Sequence, residues 1–139
     1  MPKAAFSKTV KVRMYDTDSA QILFFGNQFR FINDTLEDFL ESLGYSIKQF
    51  IDGQWALVFV HAESDYLSPS RVGDELIVNL SVQNVGETSI DFSYELNEKK
   101  TGVLVGKGKS THVCINKQTF KKQALEPTLK NQLENYLVD

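Results

Sequence analysis

The sequence predicts an α+β fold, an antiparallel sheet packed on one long helix. Three patterns carry that reading. The chain opens with a β-branched, alternating segment, continues into one amphipathic segment of about four to five helical turns, and then runs through strand-like segments joined by short turns. A sheet with a single long helix has one face to bury, and wrapping around that helix buries it.

The elements follow in order. Phe6 to Tyr15 reads as a half-buried strand, with Val10, Val12 and Met14 alternating against Lys11 and Arg13. After the polar interruption Asp16-Thr17-Asp18-Ser19, the apolar Ile22-Leu23-Phe24-Phe25 leads to Gly26-Asn27. Phe29, Ile32, Leu36, Phe39, Leu40 and Leu43 then recur at three- and four-residue spacings, with Arg30, Asn33, Asp34, Glu37, Asp38 and Glu41 between them: an amphipathic helix. Gly44 falls where a left-handed C-terminal cap is expected. Ser46 and Gln49 have capping-box spacing, which predicts a short helical turn before Gly53. Strands are expected over Trp55 to Tyr66, Glu75 to Val85, Ser89 to Asn97 and Val103 to Asn116, the last three antiparallel neighbours because the turns between them are short. Pro127 opens a terminal helix with Leu129, Leu133, Tyr136 and Leu137 on one face.

Composition bounds the class of protein. The whole chain, 1–139, reads as one domain: hydrophobic residues make up 42% and charged residues 24%, near a globular average. The formal net charge of -3 argues against nucleic acid or an anionic membrane as the main partner. The start, Met1-Pro-Lys-Ala-Ala-Phe-Ser-Lys, has no apolar run of signal-peptide length, and no stretch is long and uncharged enough to span a bilayer. One cysteine, Cys114, excludes an internal disulfide and a cysteine-based zinc cluster, and suits a reducing compartment, so a cytoplasmic location is expected.

The candidate chemistry centres on Tyr15-Asp16-Thr17-Asp18, followed by Phe25 and the start of the long helix. Carboxylates at i and i+2 share a face of an extended strand, unless the chain turns there. They precede a helix N-terminus, whose free N–H groups and positive dipole end attract an oxyanion. A carboxylate plus preorganised backbone donors is the minimum for hydrolysing an activated carbonyl. The competing reading is that Asp16 or Asp18 only caps a turn.

Three blocks carry a family resemblance. Tyr15-Asp-Thr-Asp18-Ser-Ala-Gln-Ile-Leu-Phe-Phe25-Gly-Asn resembles the signature of the 4-hydroxybenzoyl-CoA thioesterase family of hot-dog proteins. Ser64-Asp-Tyr-Leu-Ser-Pro-Ser-Arg-Val-Gly-Asp-Glu-Leu76 is similar to that family's strand, proline turn and Gly-Asp strand entry, and His112-Val-Cys-Ile-Asn116 to its last strand. Val58-Phe-Val-His61-Ala, Asp65-Tyr66 and the final strand with Lys121-Lys122 resemble the 1,4-dihydroxy-2-naphthoyl-CoA hydrolases in particular. The resemblance implies a hot-dog fold, an acyl-CoA substrate, and an active site between subunits of a homodimer that assembles further to a homotetramer. It places Asp18 on the catalytic carboxylate, as nucleophile or as general base for water. The Phe25 backbone N–H falls on the amide that polarises the thioester carbonyl, and Asp16 takes a supporting role. Gln21 stands where the family usually has Gly, and Phe24, Phe25 and Gln28 where many members carry Tyr or His. These departures bear on the substrate more than on the reaction.

Other candidates have competing readings. His61, in the strand pattern Leu57-Val-Phe-Val-His61 expected to face the helix, is a core residue or a group that orients substrate. His112 reads mainly as structural, Cys114 as a buried apolar side chain, and Arg71 as a solvated charge or a contact to a CoA phosphate. One Cys and two separated His offer no typical zinc ligand set, so neither metal nor cofactor is expected. Phe24, Phe25 and Phe29 cluster at the helix start and favour an aromatic acyl group by stacking. Two alternatives stay open: a hot-dog protein that binds acyl-CoA or another small ligand without turnover, and a helix-and-sheet binding domain unconnected with CoA.

Overall fold

Phe6–Lys11 forms β1, Phe25–Ser42 the long helix α1 and Ile47–Asp52 the short helix α2. They are followed by β2 (Trp55–Tyr66), β3 (Glu75–Val85), β4 (Ser89–Glu98), β5 (Leu104–Asn116) and α3 (Pro127–Glu134). The computed structural model describes residues 4–138; Met1, Pro2 and Lys3 of the polar start, and Asp139, lie outside them. The strands make one antiparallel sheet in the order β1-β3-β4-β5-β2, so the chain leaves one edge with β1, crosses a face as α1, and returns at the other edge as β2. This is the sheet-on-helix architecture that the sequence predicts.

Alternation explains the packing. Leu76, Val78, Leu80 and Val82 of β3 and Ile90, Phe92, Tyr94 and Leu96 of β4 are buried on the helix side, beneath Phe31, Ile32, Leu36, Phe39 and Leu40 of α1. Phe39 sits at the centre, edge-on to Phe92 at 6.3 Å and to Tyr136 at 5.4 Å. The predicted caps form. Gly44 adopts φ +98, its N–H donates to the Glu41 carbonyl, and Tyr45 N–H reaches the Leu40 carbonyl, each at 2.9 Å. Ser46 and Gln49 exchange both capping-box bonds.

Three expectations are corrected. The first strand ends at Lys11, not Tyr15, because the Asp16 carboxylate accepts the Arg13 N–H at 2.8 Å and closes a 3₁₀ turn over Met14–Asp16, leaving Met14 79% exposed. In α3, Leu129 and Leu133 are buried as expected, but Tyr136 and Leu137 lie past its last turn, where Leu137 bridges Val82. His61 faces away from α1. A β-bulge at Val60 shifts the pairing between Phe59↔His112 and His61↔Thr111, so Phe59 and Ala62 take the helix side and His61 the outer face.

Candidate active site

The segment between β1 and α1 is built as a small hairpin. Thr17 pairs with Leu23, Asp18 N–H donates to the Ile22 carbonyl at 3.0 Å, and Gln21 N–H donates back to the Asp18 carbonyl at 2.9 Å. Gln21 sits at φ +65, the left-handed position that closes a three-residue hairpin loop. Gln21 therefore keeps a glycine-like backbone although it carries a side chain. Asp18 heads this loop and is exposed; its Oδ1 accepts the Ala20 N–H at 2.8 Å.

The two aspartates part company at the turn. Asp16 is 2% exposed, and its carboxylate is paired with Arg30 of α1 and bonded to the Arg13 N–H. Its carbonyl accepts the Phe24 N–H and the Asn27 side-chain amide, each at 2.9 Å. One residue thus fastens the loop to the helix through both main chain and side chain, while Asp18, two positions later, is exposed and bonds only within its own turn through Oδ1.

Phe24 is the N-cap of α1 and supplies no side-chain cap, and the first turn carries no acidic residue. The first bond into the helix runs from Asn27 N–H to the Phe24 carbonyl, so the N–H groups of Phe25 and Gly26 precede the hydrogen-bonded ladder. Those donors, with the positive end of an 18-residue helix behind them, suit a carbonyl oxygen that gains negative charge. The rings around them are half-exposed: Phe24 43%, Phe25 60% and Tyr66 46%. Tyr66 stands edge-on to Phe25 at 6.5 Å, and its hydroxyl donates to the Phe25 carbonyl at 2.7 Å, tying the end of β2 to the helix start.

The remaining candidates are dispersed. Arg71 is exposed; Ile22 of the hairpin bridges its backbone, which brings the proline turn beside the Asp18 loop. His61 is exposed on the outer face with Nε2 3.4 Å from Glu63 Oε1, away from the helix start. His112 is buried at 2% exposure, its Nε2 bonded to Ser110 Oγ at 2.9 Å and Ser110 in turn to Tyr94 Oη at 3.0 Å. Burial lowers the His112 pKa to about 4. Cys114 is buried, and burial pushes its thiol up. Among the described residues, no group of three or more His, Cys, Asp or Glu side chains is placed to hold a metal ion, and no helix is long and apolar enough to cross a membrane.

Sequence reasoning missed four residues here. Arg30 sits at a solvent-facing position of the helix pattern, yet it is the partner of Asp16. Gln28 is 1% exposed and donates to Ser64 Oγ and to the Asp65 carbonyl, pinning α1 to β2. A buried Gln one residue before an apolar helix face gives little signal by itself. Asn27 and Tyr66 bond to main-chain carbonyls of Asp16 and Phe25, contacts that residue type and spacing do not reveal.

The family model for the thioesterase-like superfamily matches residues 12–133. The chain belongs to the thioesterase-like superfamily. Among curated relatives of this thioesterase-like chain, a 1,4-dihydroxy-2-naphthoyl-CoA hydrolase from Nostoc punctiforme is 32% identical over 131 residues, covering 94% of this chain and 87% of that protein. The crystal structure of a 1,4-dihydroxy-2-naphthoyl-CoA thioesterase from Synechocystis superposes with a TM-score of 0.89 at 27% identity, covering 94% of this chain and 96% of that one. A Staphylococcus aureus protein solved in complex with CoA shares the fold, with a TM-score of 0.89 at 22% identity over 98% of this chain and 85% of that one. The hot-dog fold of this superfamily member follows from both lines of comparison.

Proposed function

We propose that the chain hydrolyses acyl-CoA thioesters to free acid and CoA, with 1,4-dihydroxy-2-naphthoyl-CoA as the foremost substrate. The observation that carries this reading is the pairing of an open carboxylate, Asp18, with a helix start whose first N–H groups have no intrahelical acceptor, the two held together through Asp16. The thioester carbonyl oxygen binds at the Phe25 N–H, which polarises it and stabilises the oxyanion. Asp18 takes a proton from water as the water oxygen bonds to the carbonyl carbon. The tetrahedral intermediate collapses, the C–S bond breaks, and the departing thiolate takes the proton back. Asp16 fixes the loop. Arg71, beside the Asp18 hairpin, meets a CoA phosphate. His61, on the outer face, has no part in this scheme.

The sheet leaves β1 and β2 as open edges, and Phe59, Val60, Ile47 and Ile51 stay exposed near the β2 edge. Both features support a homodimer that covers β2, and further assembly to a homotetramer. The reduced, buried Cys114 supports a cytoplasmic location.

The testing experiment measures thiol release from benzoyl, dihydroxynaphthoyl, butyryl and decanoyl thioesters of CoA. The expected result is a higher kcat/KM for the aromatic thioesters, dihydroxynaphthoyl foremost. A clear medium- or long-chain optimum overturns the aromatic substrate and keeps the reaction. No release from any thioester, with saturable CoA binding in calorimetry, overturns the reaction in favour of a binding protein.

A further inference from the structure

The β-bulge at Val60 decides which side chains at the end of β2 reach the helix. Trp55, Leu57 and Phe59 take the helix side, and unbroken alternation would put His61, Glu63 and Asp65 there as well. The extra residue reverses the faces, so Ser64 and Tyr66 meet the first turn of α1 instead. They form a two-way clasp with it. The Gln28 side chain donates from the helix to Ser64 Oγ and to the Asp65 carbonyl, the latter at 3.0 Å. The Tyr66 hydroxyl donates from the strand to the Phe25 carbonyl at 2.7 Å. The backbone of Tyr66 is itself fixed: it pairs with Gly106 of β5, and the next N–H, that of Leu67, donates to the Val105 carbonyl at 2.9 Å.

The carbonyl that Tyr66 chooses matters. It belongs to the peptide unit whose N–H is that of Gly26, one of the two donors that precede the helical ladder. A hydrogen bond accepted by an amide oxygen draws electron density from its nitrogen and makes that N–H a stronger donor, by about 10–30% per bond. The Phe24 carbonyl, on the unit that carries the Phe25 N–H, accepts the Asn27 N–H at 2.9 Å in the same way. Both free donors therefore sit on peptide units polarised from behind, one by the helix itself and one by a side chain of β2.

We propose, resting on the thioesterase reading above, that the Gly26 N–H is a second donor to the thioester oxyanion beside that of Phe25, and that Tyr66 is the positioning residue that orients and polarises it. The phenol touches no reacting atom. It acts on the Gly26 N–H through the Phe25 carbonyl, and the bulge aims it there. Every thioester forms the same oxyanion, so what Tyr66 contributes is independent of the acyl group. It is made in the transition state, and so it falls on kcat rather than on KM.

Tyr66→Phe deletes only the hydroxyl and keeps the ring beside Phe25. In Gly26→glycolate a backbone ester replaces the N–H with oxygen. The test measures kcat and KM by thiol release from the para-nitrobenzoyl, benzoyl, para-methoxybenzoyl, dihydroxynaphthoyl and butyryl thioesters of CoA, in wild type, in each variant and in the double variant. Tyr66→Phe should lower kcat about three- to tenfold, by one factor for every thioester that wild type turns over, with KM nearly unchanged. Its kcat should also rise more steeply from methoxy to nitro than that of wild type, because a less stabilised oxyanion relies more on the acyl group to withdraw charge. Gly26→glycolate should lower kcat about tenfold or more, and adding Tyr66→Phe should change little further. A loss confined to the aromatic thioesters places Tyr66 on the acyl group and overturns the proposal. Full kcat in either single variant overturns it as well. A loss of kcat with an unchanged substituent slope leaves Tyr66 as a structural clasp only, and equally overturns it. A wild-type chain that releases thiol from none of the thioesters overturns the hydrolase reading itself.

Discussion

The Phe24 N–H donates to the Asp16 carbonyl at 2.9 Å, and this bond joins the loop that carries Asp18 to the start of α1. The Asp16 carboxylate reinforces it by pairing with Arg30 one turn and a half further along the helix. The buried aspartate is therefore an anchor, and Asp18 stays exposed on the hairpin.

Asp16→Asn keeps the shape of that anchor and removes its charge. Charge-assisted bonds to Arg30 and the Arg13 N–H weaken, and stability should fall by about 1–3 kcal/mol in urea unfolding. Turnover should fall less than in Asp18→Asn. Equal losses would mean that the two carboxylates act as one coupled pair.

Gln21 holds φ +65 with a full side chain. Gln21→Gly removes the left-handed strain at the expense of a freer unfolded chain, and the balance should raise stability by up to about 1 kcal/mol. Gln21→Val, β-branched, should lower Tm. A Tm that falls in Gln21→Gly would show that the side chain itself supports the hairpin.

At Gly106 the limit is space. A Cβ there would fall 2.7 Å from Gln28 Cδ, and Gln28 is buried and bonded to β2. Gly106→Ala should cost about 1–3 kcal/mol by overpacking, and Gln28→Ala should recover part of that loss in the double variant. Additive losses in the cycle would sever the two residues.

Acid should unfold the protein partly through His112. Its folded pKa is about 4, below the ordinary value of 6.5, because burial disfavours the charged ring. Between those values the unfolded chain binds more protons, so stability is full above pH 6.5 and is lost as pH falls toward 4. His112→Phe removes the titration, and its unfolding midpoint should change less than that of wild type between pH 7 and pH 5. Parallel pH profiles would assign the acid sensitivity elsewhere.

Much of this was legible in the sequence because periodicity reports burial. The bounds of β2 and β3 match the expected runs at both ends, Gly44 caps α1 through its positive φ, and Ser46 caps α2 through its hydroxyl. What escaped was side-chain bonding to the main chain and an irregularity in strand pairing. The end of β1 is decided by a carboxylate that turns back onto Arg13, and the orientation of His61 by an extra residue in one strand of a pair. A bulge leaves the apolar run Leu57 to Val60 unchanged in composition while reversing the face of everything after it. The i,i+2 aspartates likewise share a face only if the backbone stays extended, and here it folds into a hairpin.

The most direct test of the account is the hydrolysis of dihydroxynaphthoyl-CoA by wild type and Asp18→Asn, measured as thiol release at saturating substrate, with circular dichroism confirming that both are folded. Exchanging the carboxylate for an amide keeps the hairpin and removes the base, so kcat should fall by at least about 10²-fold with Tm little changed. A folded Asp18→Asn that turns over at the wild-type rate would contradict the assignment of Asp18.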